Sequence, residues 1–410
     1  MLASNNNSNT FSALLVVLLA LITALDAMAI DLYLPAMPTI ANDLNVTSSD
    51  IQLTLSFFLI GLAIGQGIYG PLLDRYGRRT PLLVGIGIFI LGSFIATISQ
   101  SLEGLLIARL IQAVGAAAGL VTPRAIVDDA CSLKESSKIF SLLMQIMMIA
   151  PILAPIIGGF LLGHIGWRSI FGFMTLLGSI LFIWSYRSIP DTLPIDKRSP
   201  LSIKNSVKAY INQIRNITYM GYMLSGGVIL ASLFVYISGS SFIFTTYYGL
   251  TPTEFSYIFA ANAVALIIGG QVDFLLQKKY LSSKVVIILG ILIHTAIGAT
   301  LLIMMSFGPV SLFTFGTLLA IGVGSLGLIF GNLTALTMAS VKSQSGVASS
   351  LMGMIQYFIS AIVGYLISLI SSITYQLPFA FLLCGIFAMI FLGVSLFKMR
   401  KTQISVNSNT

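Results

Sequence analysis

The sequence predicts an all-α protein that crosses the membrane many times, built as two six-helix bundles around a central cavity and related by a pseudo-two-fold axis. Three observations predict it: the composition, the number of long apolar runs, and an internal repeat. Of the 410 residues, 57% are hydrophobic and 8% are charged, and the mean hydropathy is +0.98. Soluble proteins carry about 25% charged residues, because charge covers their surface. The lipid bilayer is therefore the expected solvent.

Apolar runs mark the expected membrane spans. A bilayer core requires about 20 consecutive apolar residues per helix. Strands are a poor alternative, because the runs are long and lack an alternation of period two. The twelve predicted spans lie near residues 11–37, 51–73, 81–99, 103–123, 139–162, 168–186, 219–245, 255–276, 284–305, 311–337, 345–371 and 376–397.

The distribution of basic residues indicates the orientation. With both termini placed in the cytoplasm, the inner loops hold nearly all of the 21 Lys and Arg residues, and only Arg109 and Arg168 fall elsewhere. Such an excess is typical of cytoplasmic loops. The net charge of +8 is therefore a topology signal, and no nucleic-acid partner is expected.

A polar stretch divides the chain into two halves. We expect a first bundle over 1–186, a cytoplasmic linker over 187–218, and a second bundle with a short basic tail over 219–410. The linker contains either an amphipathic helix on the membrane surface or a solvated segment. The pattern Gly-x-x-x-Asp at residues 70–74 recurs in degenerate form at 269–273. Parallel halves of this kind are the plan of transporters that rock around a midplane site.

The loop after the second span carries the most specific motif. A glycine permits a tight reversal there, and arginines can anchor to anionic headgroups. The aspartate at the helix end could pair across a gate between the halves. The motif consists of Gly70, Asp74, Arg75, Gly77, Arg78 and Arg79. It resembles the best-known motif of the major facilitator superfamily, which implies that family's fold and a loop that stabilises one of two conformations.

Arg109 lies within the fourth span. An unpaired arginine in hydrocarbon costs at least about 2.5–3.5 kcal/mol, so it should face the bundle interior and find a partner. A structural pin between helices is the alternative. The pattern Leu105-x-x-x-Arg109-x-x-Gln112 resembles the superfamily's second motif, which implies a role in proton coupling.

The fifth span contains two prolines on one helical face and a pair of glycines. The prolines remove backbone hydrogen bonds, and the glycines allow another helix to approach. A kinked, purely structural helix is the alternative. The segment containing Pro151, Ala154, Pro155, Gly158 and Gly159 resembles the antiporter motif of family exporters, although Ala154 stands where that motif has glycine.

The first span contains two acids, Asp26 and Asp31. The phrase around Asp31, with further phrases in later spans, resembles the Bcr/CflA branch of drug:proton antiporters, in which this aspartate is the membrane carboxylate. As a helix, the run puts Asp31 about 8 Å nearer the outside than Asp26. That depth favours pairing of Arg109 with Asp31. Asp26 could be a second proton or cation site, or a buried neutral acid.

Weaker candidates lie in spans that line the family's cavity, where methionine and aromatic side chains suit varied ligands. Ordinary helix packing is the alternative for each. These candidates are Tyr33, Gln112, Met144, Met148, Tyr236, Phe242, Asn262 and Gln356.

The resemblance implies proton-driven export of small lipophilic compounds or antibiotics across a bacterial inner membrane by alternating access. The expected partners are the small-molecule substrate, protons and the bilayer, with the protein working as a monomer. The alternative is a dedicated proton-coupled transporter of one metabolite, such as a siderophore-like molecule or a sugar. No phosphate loop occurs and the two histidines are distant, so neither a nucleotide-driven pump nor an enzyme is expected. We expect no cofactor and no metal.

Overall fold

The computed structural model describes residues 13–130, 133–198, 203–279, 281–341 and 345–407, and these ranges are helical without a β-strand. The helices of the first part and the segment that follows it are α1 (Ala13–Thr23), α2 (Leu25–Asp31), α3 (Met37–Asp43), α4 (Ser48–Tyr76), α5 (Arg79–Ile98), α6 (Leu102–Ala130), α7 (Leu133–Ile165), α8 (Arg168–Ser188) and α9 (Ile203–Ile214). Those of the last part are α10 (Ile217–Phe242), α11 (Pro252–Lys279), α12 (Ser283–Phe307), α13 (Leu312–Leu326), α14 (Phe330–Ala339), α15 (Ser345–Ser368) and α16 (Ile373–Asn407).

The helices agree with the predicted number of membrane spans. In the described ranges, 11 helices are long and apolar enough to cross a bilayer, with α13 and α14 counted as one. A further pair, α1 with α2–α3, meets the same test but is bent by 45°. Counting this pair as one broken span gives the twelve spans that the sequence predicts.

The first span is broken, whereas the sequence suggested one continuous run. The hydroxyl of Thr23 donates to the carbonyl of Leu19 (2.7 Å), and such bonds bend helices. Beyond Asp31 the chain forms a 3-10 turn, Leu34–Ala36, because Pro35 and Pro38 cannot donate backbone hydrogen bonds. As a result α2 is a helix of only 7 residues, and it carries both acids.

The helices pack as two bundles, which meet mainly through two pairs of helices. In the first bundle α6 packs against α4 and α5, and in the second α16 packs against α10 and α12. The bundles meet where α4 contacts α15 and where α7 contacts α11. The two contacts are related by the repeat. α4 and α11 are equivalent spans of the two bundles, six places apart, and so are α7 and α15. The pairing therefore follows the pseudo-two-fold symmetry that the internal repeat indicates.

The bundles are bonded to each other at the end opposite the loop after α4. Ser49 donates to the carbonyl of Ser368 (2.7 Å), and Gln52 donates to the side chain of Gln376 (3.1 Å). Ser256, at the start of α11, donates to a carbonyl of α7 (2.9 Å). All three bonds lie where α4, α11 and α16 begin and α15 ends, so this end is closed by direct contacts between the bundles.

Arg168, the basic residue that the charge pattern leaves in an outer loop, is neutralised locally. Its guanidinium pairs with Asp43 (3.0 Å) and lies 4.0 Å from the centre of the Trp167 ring. Trp167 donates to the same carboxylate (2.9 Å). The three residues fasten α8 to the end of α3.

The tenth span is interrupted between α13 and α14. The amides of Gly327, Leu328 and Ile329 each bond three residues back instead of four. At this tightened turn α11 approaches very closely. A Cβ atom added at Gly269 would overlap the carbonyl oxygen of Gly324, whereas one added at Gly270 would meet nothing within 4 Å.

These two adjacent glycines provide a test of the packing. We expect Gly269→Ala to destabilise the protein by about 1–3 kcal/mol, the usual cost of overpacking a well-packed site. Gly270→Ala, on the same helix, should raise stability by up to about 1 kcal/mol, because alanine favours a helix more than glycine does. Thermal unfolding of both variants in detergent measures the difference, and equal melting temperatures would contradict this packing.

Candidate functional site

Two carboxylic acids of α2 are buried. Asp26 is 6% exposed and Asp31 is 4% exposed. Neither forms an ion pair with any basic side chain that the structure describes, and Oδ1 of Asp26 is buried without a hydrogen-bond partner. The first bundle thus holds two acidic groups whose charge, when present, has no paired cation.

Both acids lie close to the second bundle. Tyr236 of α10 is within electrostatic range of Asp31, and Tyr357 of α15 is within range of Asp26. Arg124 of α6 also acts on Asp26, but its side chain is exposed. Each acid is therefore within electrostatic range of the second bundle, through a different tyrosine.

Tyr236 and its neighbour Asn262 offer free polar atoms at this interface. Both residues are 2% exposed, and the Tyr236 ring stacks on Phe259 with centroids 5.5 Å apart. The hydroxyl of Tyr236 and Nδ2 of Asn262 are neighbours, yet neither atom makes a hydrogen bond of good geometry. Buried polar atoms are rarely left unpaired, so a ligand or water suits this place.

The structure does not show the pairing of Arg109 with Asp31 that depth favoured. Arg109 is fully buried, and it donates to the carbonyl of Ala29 (2.9 Å) and to Gln112 (2.6 Å). Its guanidinium carbon lies 4.2 Å from the ring centre of Phe58. Aromatic faces attract cations, so rings and a carbonyl replace the expected carboxylate.

Tyr33 and Gln112, predicted to line the cavity, lie instead inside the first bundle beside Arg109. The hydroxyl of Tyr33 bonds Thr54 (2.8 Å), and its ring centre is 4.8 Å from the guanidinium. Gln112 donates to Ser93 (2.8 Å) in addition to accepting from Arg109. Their polar atoms are used within the bundle, which leaves them no free group for a ligand.

The other predicted cavity residues are scattered. Phe242 is 3% exposed, and Met148 is 39% exposed. Gln356 packs against Gly226 of α10. The side chain of Met144 lies outside the part that the structure describes. Sequence reasoning missed Tyr357, which follows Gln356 directly and lies within electrostatic range of Asp26. Its only signal was an aromatic residue in a predicted span.

The proline- and glycine-rich part of α7 contacts both bundles. A Cβ atom at Gly158 would overlap the carbonyl of Leu32, the residue that follows Asp31. A Cβ at Gly159 would come within 2.9 Å of Ser256, which bonds the carbonyl of Pro155 (2.9 Å). Ala154 and Pro151 belong to the same segment, and Ala154 is 1% exposed. This segment therefore touches the acid-bearing turn on one side and α11 on the other.

The loop after α4 is held by the first bundle. Arg78 pairs with Asp74 (2.9 Å) and with Asp129 at the end of α6 (2.7 Å). Burial lowers the pKa of Arg78, but its bonds to the two carboxylates outweigh burial and raise it. The backbone N–H of Arg78 donates to Asp191 (2.8 Å). Asp74 thus pairs within its own loop, not across the gate as expected.

Two further residues of this loop, Gly77 and Arg79, also lie against the rest of the first part of the chain. Gly77 has φ of +85°, which favours glycine, and a Cβ there would also overlap Asp191. Arg79 donates to the carbonyl of Tyr186. Arg75 is exposed, and Gly70 is partly exposed.

The second bundle has a similar network, in which a glutamine and an asparagine take the places of the arginine and one aspartate. Gln277 donates to Asp273 (2.7 Å) and to Asn332 (3.0 Å), and Asn332 donates to Asp273 (2.8 Å). Gln277 stands where the first bundle has Arg78, and Asn332 stands where it has Asp129. The degenerate sequence repeat therefore corresponds to a repeated hydrogen-bond network.

Known proteins resemble the chain along most of its length. The family model described as Major Facilitator Superfamily matches residues 19–365. An uncharacterized MFS-type transporter, YdgK, of Bacillus subtilis is 37% identical over 86% of this chain and 88% of its own length. A bicyclomycin resistance protein homolog of Haemophilus influenzae is 27% identical over 89% of this chain and 90% of its own. A solved D-xylose-proton symporter has a TM-score of 0.71 at 13% identity, covering 92% of this chain and 97% of that one.

The paired networks support a double-mutant cycle. Arg78→Gln leaves Asp74 and Asp129 without their cation, so we expect it to destabilise the protein by about 1–3 kcal/mol. Adding Asp129→Asn recreates the amide arrangement of the second bundle and should recover part of that loss. Thermal unfolding of the four proteins measures the coupling. Additive effects would show that the Arg78–Asp129 bond does not hold the loop.

Proposed function

Because the chain belongs to the major facilitator superfamily, we propose that it exports small lipophilic compounds from the cytoplasm in exchange for protons. One observation carries the proposal: α2 buries two acids that have no ion pair with a described residue and that are each within electrostatic range of a tyrosine of the opposite bundle. A charged carboxylate in such a place is costly. A proton from outside or a bound substrate from inside can each relieve that cost.

Exchange then follows from competition for the same groups. Asp31 is the main proton carrier, and Asp26 is a second acidic position nearer Arg124. Substrate that binds at Tyr236 and Asn262 favours release of the proton, and renewed protonation favours release of substrate. Such coupling between two ligands is reciprocal. Rocking of the bundles about the contacts between α4 and α15 and between α7 and α11 would expose the acids to each side in turn.

The direction and location rest on the sequence. The Pro151–Gly159 segment resembles the antiporter motif of exporters, and a bicyclomycin resistance homolog is among the relatives. The basic residues favour cytoplasmic termini, and bacterial relatives favour the inner membrane. We propose that the protein works as a monomer, with no nucleotide and no metal. If one metabolite were the dedicated substrate, a panel of unrelated compounds would show transport of that compound alone.

Asp31→Asn tests the proposal. Inverted membrane vesicles with an acidified interior should lose part of their pH gradient when ethidium, chloramphenicol or bicyclomycin is added. We expect Asp31→Asn to abolish this response, because an amide cannot release the proton. We expect Asp26→Asn to weaken it.

Glu103→Gln serves as the matched control, because it removes an exposed acid at the start of α6. This variant should respond like the wild type. Full coupling in Asp31→Asn, at normal membrane levels of the protein, would refute the assignment.

A further inference from the structure

Arg109 is a buried cation that is held by rings. Its guanidinium carbon lies 4.2 Å from the ring centre of Phe58, 4.8 Å from that of Tyr33 and 5.9 Å from that of Phe171. Its Nε and Nη2 atoms are buried without hydrogen-bond partners. The three rings come from α4, the turn after α2, and α8. We call Phe58, Tyr33 and Phe171 the aromatic box.

Two rings of the box are fixed by their own contacts. The Tyr33 hydroxyl bonds Thr54 of α4 (2.8 Å). Phe171 packs against Tyr33 with centroids 5.6 Å apart and against Trp167 at 6.1 Å, edge to face. Phe58 is the nearest ring, and its only role visible in the structure, apart from core packing, is its face toward the guanidinium. The position of Arg109 is therefore determined largely by aromatic surfaces.

Held in this way, Arg109 supports the segment that carries the acids. Nη1 donates to the carbonyl of Ala29 (2.9 Å), which lies between Asp26 and Asp31 in the last turn of α2. Carbonyls in the last turn of a helix lack a partner within the helix. Arg109 thus caps α2 from the side while three rings face its guanidinium.

We propose that Phe58 is a positioning residue that acts through Arg109 on Asp31. This inference rests on the proposed role of Asp31 as proton carrier. When the Phe58 ring is lost, the guanidinium is released from its nearest aromatic contact and can approach the carboxyl group. A nearby cation favours the ionised form of an acid, so Asp31 should give up its proton at lower pH.

The other charges around the acids do not change in this variant. Asp26 lies on the same helix as Asp31, and Arg124 belongs to α6. Tyr236 of α10 and Tyr357 of α15 are the titratable groups of the second bundle within range. Residues 139–163 of α7, which pack along α2, include no titratable side chain. A shift in Phe58→Leu can therefore be assigned to Arg109.

Infrared titration of the purified, reconstituted protein tests the proposal without a substrate. The band of the protonated Asp31 carboxyl group is assigned by subtracting the spectrum of Asp31→Asn. In Phe58→Leu we expect its midpoint to move to lower pH by about 0.5–1 unit, the size that the loss of one cation–aromatic contact supports. Phe58→Tyr keeps a ring and should retain the wild-type midpoint.

Phe89→Leu is the matched control. Phe89 is 1% exposed in the same bundle and packs near Gly115 and Gly178, and its ring is not one of the three that face the guanidinium. The midpoint of the Asp31 titration in Phe89→Leu should equal that of the wild type. If Phe58→Leu does not fold, Phe171→Leu should shift the midpoint in the same direction by a smaller amount.

Two results overturn the inference while leaving the proposed function intact: an unshifted midpoint in Phe58→Leu, or an equal shift in Phe89→Leu. A spectrum in which no titrating band depends on Asp31 overturns both the inference and the role of Asp31.

Discussion

The burial of two unpaired acids in one short helix is the constraint on which the rest of the site depends. An isolated charge in an apolar interior costs several kcal/mol. The carboxyl groups of α2 are therefore stable in this position only when they carry protons or bind a ligand. Arg109, a fully buried cation of the same bundle, bonds a backbone carbonyl and faces three rings. Because Arg109 is engaged there, it forms no ion pair with either acid, and in the proposed mechanism the acids are left for exchange.

The two bundles share a plan but differ in charge. The first holds its loop with an arginine between two carboxylates, and the second uses a glutamine and an asparagine on one aspartate. The acids, Arg109 and the ionic loop all belong to the first bundle. The second contributes tyrosines, an asparagine and close glycine contacts near Gly269. We infer that proton chemistry is concentrated in the first bundle, while the second completes the binding surface.

Hydropathy was enough to predict the helical fold and the number of spans, because long apolar runs have one stable solution in a bilayer. It could not predict the bend near Thr23, where a side-chain hydroxyl bonds a carbonyl of the preceding turn. The partners of Arg109 were missed because charge counting considers carboxylates, whereas the observed partners are a carbonyl, an amide and rings from α4, α8 and the turn after α2. Tyr33 and Gln112 were predicted to line the cavity only because of the spans in which they lie. The face of a helix that points toward the cavity is determined by packing, and for the same reason Tyr357 was not predicted.

Proton release on ligand binding is the most direct test of the central claim, that a proton and a substrate compete for the acids of α2. Ethidium is added to the purified protein in weakly buffered detergent, and the pH of the medium is followed while binding is measured by fluorescence. We expect binding to acidify the medium in the wild type, with an extent that falls as the starting pH rises and the acids are already ionised. Saturable binding with no release of protons at any starting pH would contradict the account.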